Sequence, residues 1–105
     1  MKRLRLTYRP AALADLDSIF DFIEADNPTR AASFVDEILS RCGALGVYPE
    51  LGPVRHDLGV GIRIYPMFGR IVVAYRVDED AVQVIRVFSS GQDYATILTD
   101  GDTPL

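Results

Sequence analysis

The sequence contains one cysteine and one histidine, and it has no long apolar run. A single cysteine excludes a disulfide within the chain and is typical of reducing compartments, so we expect a cytoplasmic protein. Cys42 and His56 alone do not provide the set of side chains that holds a transition metal, so we expect no metal and no cofactor. No segment is apolar over the roughly 20 residues of a membrane-spanning helix, and the basic N-terminus lacks the apolar core of a secretory signal.

Positive charge is scarce in most of the chain. Eleven lysines and arginines face fifteen acidic residues, which gives a net charge of −4. Residues 1–9 hold four basic residues and no acid, whereas residues 10–50 hold eight acids against two arginines. From residue 87 to the end there is no lysine, arginine or histidine. Proteins that depend on phosphate contacts usually have a basic surplus, so we expect no strong direct binding of nucleic acid.

The first half of the sequence predicts one strand and two amphipathic helices. Residues 4–8 alternate apolar and polar side chains, as a strand does, and apolar residues recur every three or four positions over residues 11–25, as in a helix. The acidic residues of this helix are predicted to form a solvated face; they are Asp15, Asp17, Asp21 and Glu24. Asn27 and Pro28 are start signals for a second helix, which Gly43 ends. So short a break predicts an antiparallel helical hairpin.

The second half predicts a meander of three strands. The strands cover residues 62–67, 70–77 and 81–88, after a turn-rich loop over 49–61 and before a short helix over 93–98. The order β-α-α-β-β-β predicts an α+β domain of two layers, in which the helical hairpin packs on a mostly antiparallel four-stranded sheet. The other face of the sheet is expected to stay partly open. We expect one domain over residues 1–98 and a flexible tail over 99–105.

Strict alternation in the last strand predicts which side chains share a face. Ile85 and Val87 would lie on one face of the sheet. The opposite face would hold Val82, Val84, Arg86 and Phe88. Arg86 would then face either a partner of the open sheet face or an acidic residue such as Asp93, with which it would form an ion pair.

Several short motifs resemble the ParE/RelE toxin superfamily, and the ParE branch more closely. They are A-x-x-DLDSIFDFI in the first helix, A-x-x-F in the second, P-x-x-G-x-x-R-x-DL in the long loop and I-R-V at the end of the last strand. With the order of elements, the resemblance covers about residues 5–95. It implies the toxin of a type II toxin–antitoxin system, such as those that stabilise plasmids, in a hetero-oligomer with a ParD-like antitoxin. For the ParE branch it implies binding of DNA gyrase rather than catalysis.

The strand end departs from the pattern R-V-x-H-G-x-R-D that ParE-type chains commonly have. Arg86, Val87 and Asp93 match it, whereas Ser89, Ser90 and Gln92 stand where His, Gly and Arg are usual. A degenerate toxin that retains only antitoxin binding is therefore an alternative.

A second alternative is a ribosome-dependent mRNA endoribonuclease of the RelE type. Such cleavage needs a base, an acid and cations around the reacting phosphate. The candidates in this sequence are Arg55, His56, Arg63 and Tyr94. The absence of basic residues after the last strand removes half of that cationic set, so we expect binding rather than catalysis.

For a binding toxin, two surfaces are predicted. The target-binding candidates are Arg63, Arg86, Gln92, Asp93 and Tyr94, assisted by the C-terminal tail. The antitoxin-binding candidates are Leu13, Leu16, Phe20 and Ile23. An amphipathic antitoxin helix would lie in a groove between the hairpin and the sheet, and a further antitoxin segment would add a strand at a sheet edge.

Overall fold

A computed structural model describes residues 3–99 of the chain. The helices are α1 (Pro10–Glu24), α2 (Pro28–Gly43) and α3 (Tyr94–Thr99), with one 3-10 turn at Ala44–Gly46. The strands are β1 (Arg5–Tyr8), β2 (Arg63–Met67), β3 (Ile71–Val77) and β4 (Ala81–Ser89). The predicted order and the α+β class are confirmed. The predicted tail lies outside the described residues, apart from Thr99, which ends α3.

The four strands form one mixed sheet in the order β1-β4-β3-β2. The β2–β3 and β3–β4 pairs are antiparallel, as expected for a meander. The first strand pairs with the last in parallel, from Arg5 opposite Ala81 to Tyr8 opposite Val84. Because β1 ends at Tyr8, no strand within residues 3–99 lies beside this edge of β4 beyond Val84.

The two long helices form a hairpin whose buried stripes face the sheet. Pro10 starts α1, and the side chain of Asn27 caps α2 by accepting a hydrogen bond from the backbone N–H of Arg30 at 3.0 Å. The buried residues of the two helices recur at helical spacing; they are Ala12, Leu16 and Ile19 in α1, and Ala31, Phe34, Ile38 and Cys42 in α2. Each fully buried large side chain of this kind contributes about 1.5–3 kcal/mol of hydrophobic stabilisation.

The main core lies between the hairpin and one face of the sheet. The strands contribute Met67, Ile71, Val73, Tyr75, Val82, Val84 and Val87 to it. A second, smaller core lies on the opposite face and contains Leu58, Ile62, Ile64, Ala74, Ile85, Phe88 and Leu98. The long loop and α3 therefore cover the part of the sheet around Phe88, which we had expected to be partly open.

The predicted assignment of faces in β4 is wrong because the strand contains a bulge. Tyr75 of β3 pairs with Val84 and the preceding Ala74 pairs with Arg86, so Ile85 is an extra residue in β4. An extra residue interrupts the alternation of side chains. As a result Val84 and Val87 both belong to the main core, while Ile85 and Phe88 belong to the second core.

The hydroxyl of Tyr75 holds the long loop against the sheet. It donates a hydrogen bond to the carbonyl oxygen of Pro49 at 2.7 Å and accepts one from the backbone N–H of Gly52 at 2.8 Å. A Cβ atom at Gly52 would lie 2.6 Å from the carbonyl oxygen of Ile64. Only glycine therefore fits where the loop passes over β2.

Candidate functional site

A groove of about 500 Å³ lies between α1 and the ends of β3 and β4. Its apolar lining consists of Ile19, Phe22, Ile23, Phe34, Ile71 and Val87. Its polar lining consists of Asp15, Ser18, Arg70, Ser89, Ser90 and Gln92. The groove therefore joins one face of α1 to the strand-end turn that departs from the ParE-type pattern.

The most exposed large apolar side chain of the groove is Phe22, with 83% of its surface accessible. Phe34, on the opposite wall, is 2% exposed and belongs to the main core. An exposed aromatic side chain beside a buried one gives the groove an apolar rim that continues into the core. Contiguous apolar surface of this kind is a common mark of a binding site.

Arginine side chains surround the aromatic wall of the groove. The guanidinium carbons of Arg70 and Arg30 lie 4.8 and 5.0 Å from the ring centroid of Phe34. Phe68 packs against Phe34 with ring centroids 5.6 Å apart, and Arg41 lies 5.0 Å from the ring of Phe68. Such cation–π contacts hold the cations on the ring faces. Arg30 is in addition paired with Glu37 at 2.8 Å. Of these arginines, Arg70 lines the groove.

Asp15 fixes α1 to the edge of β4 at the floor of the groove. Its carboxylate accepts hydrogen bonds from Nε and Nη2 of Arg86 at 2.7 and 2.8 Å, and from the backbone N–H of Val87 at 2.8 Å. That N–H lies beyond the end of β1, so the carboxylate takes the place of the missing strand. The two side chains are 12% and 14% exposed, and the bond to Asp15 raises the pKa of Arg86 above its usual value.

The acidic partner of Arg86 differs from the predicted one. Asp93 caps α3, accepting bonds from the backbone N–H of Thr96 at 3.2 Å and its hydroxyl at 2.8 Å, and these bonds lower the pKa of Asp93. Asp15 was wrongly assigned to a solvated face. Asp15 lies three residues after Ala12 and four before Ile19, and both of these residues are buried. The helical period therefore predicts that Asp15 lies on the same face of α1 as they do.

The other target-binding candidates also have intramolecular contacts. Oε1 of Gln92 accepts hydrogen bonds from the backbone N–H and the hydroxyl of Ser89 at 2.8 and 3.2 Å, which closes the turn after β4. Tyr94 packs its ring on Phe88 with centroids 5.8 Å apart. Arg63 donates a hydrogen bond to the carbonyl oxygen of Gly52 at 2.7 Å. The contacts of Gln92 and Tyr94 thus fix the conformation of the turn after β4 within the folded chain itself.

The nuclease candidates come together only in part. Arg55 pairs with Asp57 through two hydrogen bonds of 2.9 and 2.8 Å, and Nδ1 of His56 accepts one from the backbone N–H of Gly61 at 3.3 Å. The bond to Asp57, and next the Tyr94 hydroxyl, raise the pKa of Arg55, while Arg55 lowers the pKa of Asp57. Arg55 and Tyr94 are therefore neighbours, but Asp57 neutralises the guanidinium that a phosphate would need.

The antitoxin-binding candidates are exposed to different degrees. Leu13 is 50% exposed, Leu16 is only 6% exposed in the main core, and Phe20 and Ile23 are half-buried. Ile23 alone of the four lines the groove. The sequence analysis did not identify Phe22. It could have been found from its position, because it is an aromatic residue among acidic residues and lies outside the buried stripe of α1.

The described residues, 3–99, contain no helix that is long and apolar enough to cross a membrane. In the same range no three histidine, cysteine or acidic side chains are grouped so as to hold a metal ion.

Comparison with known proteins places the geometry in a family context. The family model described as the ParE toxin of the type II toxin–antitoxin system, parDE, matches residues 6–94. Among solved structures, a chromosomal ParDE toxin–antitoxin system from P. aeruginosa is similar, with a TM-score of 0.72, 24% identity, and coverage of 83% of this chain and 96% of that chain. The solution structure of a conserved hypothetical protein from Helicobacter pylori has a TM-score of 0.46 and 14% identity, covering 85% of this chain and 97% of that one. No curated protein matches the sequence.

Proposed function

Since the chain belongs to the ParE toxin family of type II toxin–antitoxin systems, we propose that a ParD-like antitoxin neutralises it by occupying the groove beside α1. In the absence of the antitoxin, the toxin acts by binding DNA gyrase through Gln92, Asp93 and Tyr94, which follow β4 and which we name the strand-end surface. The observation that supports antitoxin binding most directly is the exposed ring of Phe22 at the rim of an apolar groove that reaches the main core.

The groove sets the chemistry of the antitoxin segment. Its apolar walls fit the apolar face of an amphipathic helix, with anchors that recur every three or four residues. Arg70 is the cationic side chain of the lining, so an acidic residue of the antitoxin would pair with it. An aromatic residue and an arginine are also the side chains that most often dominate binding energy at interfaces.

Antitoxin binding is tested with the protein encoded by the adjacent reading frame. We expect Phe22→Ala to weaken the complex at least tenfold, because burial of the exposed ring is lost, and Arg70→Gln to weaken it several-fold. Val60→Ala and Arg5→Gln are the matched controls, since Val60 is 84% exposed and the Arg5 side chain 71% exposed on other parts of the surface. Equal affinities for Phe22→Ala and Val60→Ala in calorimetric titration would exclude the groove as the antitoxin site.

Gyrase binding is assigned to the strand-end surface, where Gln92 and Asp93 are exposed and Tyr94 is half-buried. Arg86 takes part by holding the end of β4 in place through its bonds to Asp15. Arg63 lies opposite Tyr75 at the other end of the sheet and bonds to Gly52 of the long loop, so it is not part of this surface. With purified gyrase we expect inhibition of supercoiling by the free toxin and its relief by antitoxin. Gln92→Ala should reduce inhibition, because it opens the turn, whereas Glu79→Ala, in the exposed β3–β4 turn, should not.

Induction of the toxin in cells separates the alternatives. Normal supercoiling at saturating toxin, together with new mRNA ends at translated codons, would replace the gyrase proposal with the endoribonuclease. Normal growth, normal supercoiling and intact antitoxin binding would leave the degenerate toxin.

A further inference from the structure

A row of polar and basic side chains crosses the sheet on the face opposite the helical hairpin. We name it the arginine strip, and it consists of Arg5, Thr7 and Arg9 of β1 and its C-terminal flank, Arg76 of β3 and Gln83 of β4. Their neighbours along the strands pack on the hairpin side; these are Leu6, Tyr8, Tyr75, Val82 and Val84. Because side chains alternate along a strand, the members of the strip point to the other face.

Gln83 lies at the centre of the arginine strip. It is in register with Thr7 on one side and with Arg76 on the other. Arg5 and Arg9 flank Thr7 along β1 and its C-terminal flank, so each lies diagonally across from Gln83. Three arginines therefore flank the position of one neutral amide in the register of the sheet.

Arg9 carries the least satisfied polar atom of the strip. Its backbone N–H donates to the carbonyl oxygen of Val84 at 2.9 Å, which fixes the residue at the end of β1. Its side-chain Nη1 is buried and has no hydrogen-bond partner among residues 3–99. Buried N–H groups of folded proteins nearly always have an acceptor, so Arg9 has hydrogen-bonding capacity that the fold itself does not use.

The positive charge of the strip is only weakly neutralised. Arg5 lies 3.8 Å from Asp80, and both side chains are mostly exposed, so this pair is weak. Nε of Arg76 donates to the carbonyl oxygen of Val60 at 2.9 Å, which orients the side chain without cancelling its charge. In the described part of the chain, neither Arg9 nor Arg76 forms an ion pair with a carboxylate.

We propose that the arginine strip binds a single phosphate group. Arg9 supplies the principal donors and the amide of Gln83 supplies a neutral hydrogen bond, while Arg5 and Arg76 add positive charge. The hydroxyl of Thr7 already donates to the carbonyl oxygen of Val82 at 3.4 Å. Guanidinium groups match the geometry of phosphate oxygens. The net charge of −4 opposes long-range attraction of a polyanion, so the occupant is a free phosphate or a mononucleotide rather than a nucleic-acid backbone.

The test is a titration at constant ionic strength with three probes, in which the backbone amide signals are monitored by NMR. The probes are inorganic phosphate, adenosine 5′-monophosphate and a 12-nucleotide single strand. We expect saturable shifts at Thr7, Arg9 and Gln83 with the first two probes. Saturation by the single strand alone would assign the site to a backbone phosphate. The proposal is overturned if no probe gives saturable shifts at these amides.

Matched variants show whether the strip itself binds the phosphate. Arg9→Gln should weaken phosphate binding about tenfold or more and Arg76→Gln several-fold, whereas Arg41→Gln, on α2, should leave it unchanged. Thermal unfolding of each variant checks that the fold is kept. If Arg9→Gln does not fold, Arg76→Gln decides the question, and unchanged affinity in that variant would count against the strip.

Discussion

Asp15 and Arg86 lie 71 residues apart in the sequence and form the least exposed ion pair among the described residues. The pair joins α1, which lines the groove, to the strand that leads into the strand-end turn. The third hydrogen bond of the carboxylate, from the backbone of Val87, satisfies the edge of β4 where β1 has ended. One side chain therefore connects the hairpin, the sheet edge and the groove floor.

Replacing Asp15 should destabilise the fold strongly. We expect Asp15→Asn to lower the free energy of unfolding by about 3 kcal/mol, because removing one member of a largely buried pair leaves the other charge uncompensated. Asp17→Asn, on the exposed face of the same helix, should change it by less than about 0.5 kcal/mol. Urea denaturation measures both. Equal stabilities would mean that the Asp15 carboxylate contributes nothing beyond a surface charge.

Two leucines of α1 should differ in what they contribute to stability. Leu16→Ala should cost about 2–5 kcal/mol of stability, because it leaves a cavity in the main core. Leu13 is 50% exposed and does not line the groove, so Leu13→Ala should leave both the free energy of unfolding and the antitoxin affinity nearly unchanged. Chemical denaturation measures the stabilities, and calorimetric titration measures the affinity. A stable Leu16→Ala variant would contradict the placement of Leu16 in the core.

The Tyr75 hydroxyl should control the order of the long loop. Tyr75→Phe removes two hydrogen bonds and leaves the N–H of Gly52 without its acceptor, which should cost about 1–3 kcal/mol. Amide hydrogen exchange at Gly52 should become much faster than in the wild type. Tyr65→Phe, in the neighbouring strand, is the matched control and should keep the slow exchange. Slow exchange in Tyr75→Phe would show that another contact holds the loop.

The single cysteine should be unreactive in the folded protein. Burial raises the pKa of the Cys42 thiol to about 11 from 9.0, and raises the pKa of its neighbour Tyr8 as well. Only the thiolate reacts with alkylating reagents, so labelling by iodoacetamide at pH 8 should require unfolding. Rapid labelling of the native protein would contradict the burial.

The same shift predicts how stability depends on alkaline pH. In the unfolded chain the thiol loses its proton near its ordinary pKa of 9.0, whereas in the folded chain it keeps the proton up to about 11. The folded state therefore binds more protons in that range, and its stability should fall as the pH rises from 9 to 11. Cys42→Ala should reduce the slope of stability against pH, and an unchanged slope would assign it to other groups.

Much of the fold could be predicted because its periodic signals are strong. The spacing of apolar residues gave both long helices, and the signals at Asn27 and Pro28 located the break between them. The bulge at Ile85 could not be predicted, since an extra residue in a strand has no local signature and depends on the pairing with β3. Coverage of the second face by Leu58 and Leu98 likewise depends on how a loop and a short helix return to the sheet.

The site was less predictable than the fold because its residues are far apart in the sequence. Ile23 and Gln92 were both proposed, but for different partners, and only the folded chain brings them into one groove. Arg86 was identified as a candidate, but Asp93 was named as an acidic partner because it is near in the sequence. The helical phase of Asp15, which points to the observed partner, was not used. Ser89, Ser90 and Gln92 were noted as departures from a family pattern, and the structure gives Ser89 and Gln92 a joint role in closing the turn.

Of the two central strands of the sheet, β4 is the later in the sequence, and it is the last strand of the described residues. The ribosome synthesises β1 first, but β1 must wait for β4, whose pairing residues begin at Ala81, before its backbone finds a partner. A nascent toxin thus lacks one of its two central strands until residues 81–89 have been synthesised, and a premature stop codon before residue 81 leaves a fragment without it. The complete four-stranded sheet can therefore form only after β4 has been synthesised.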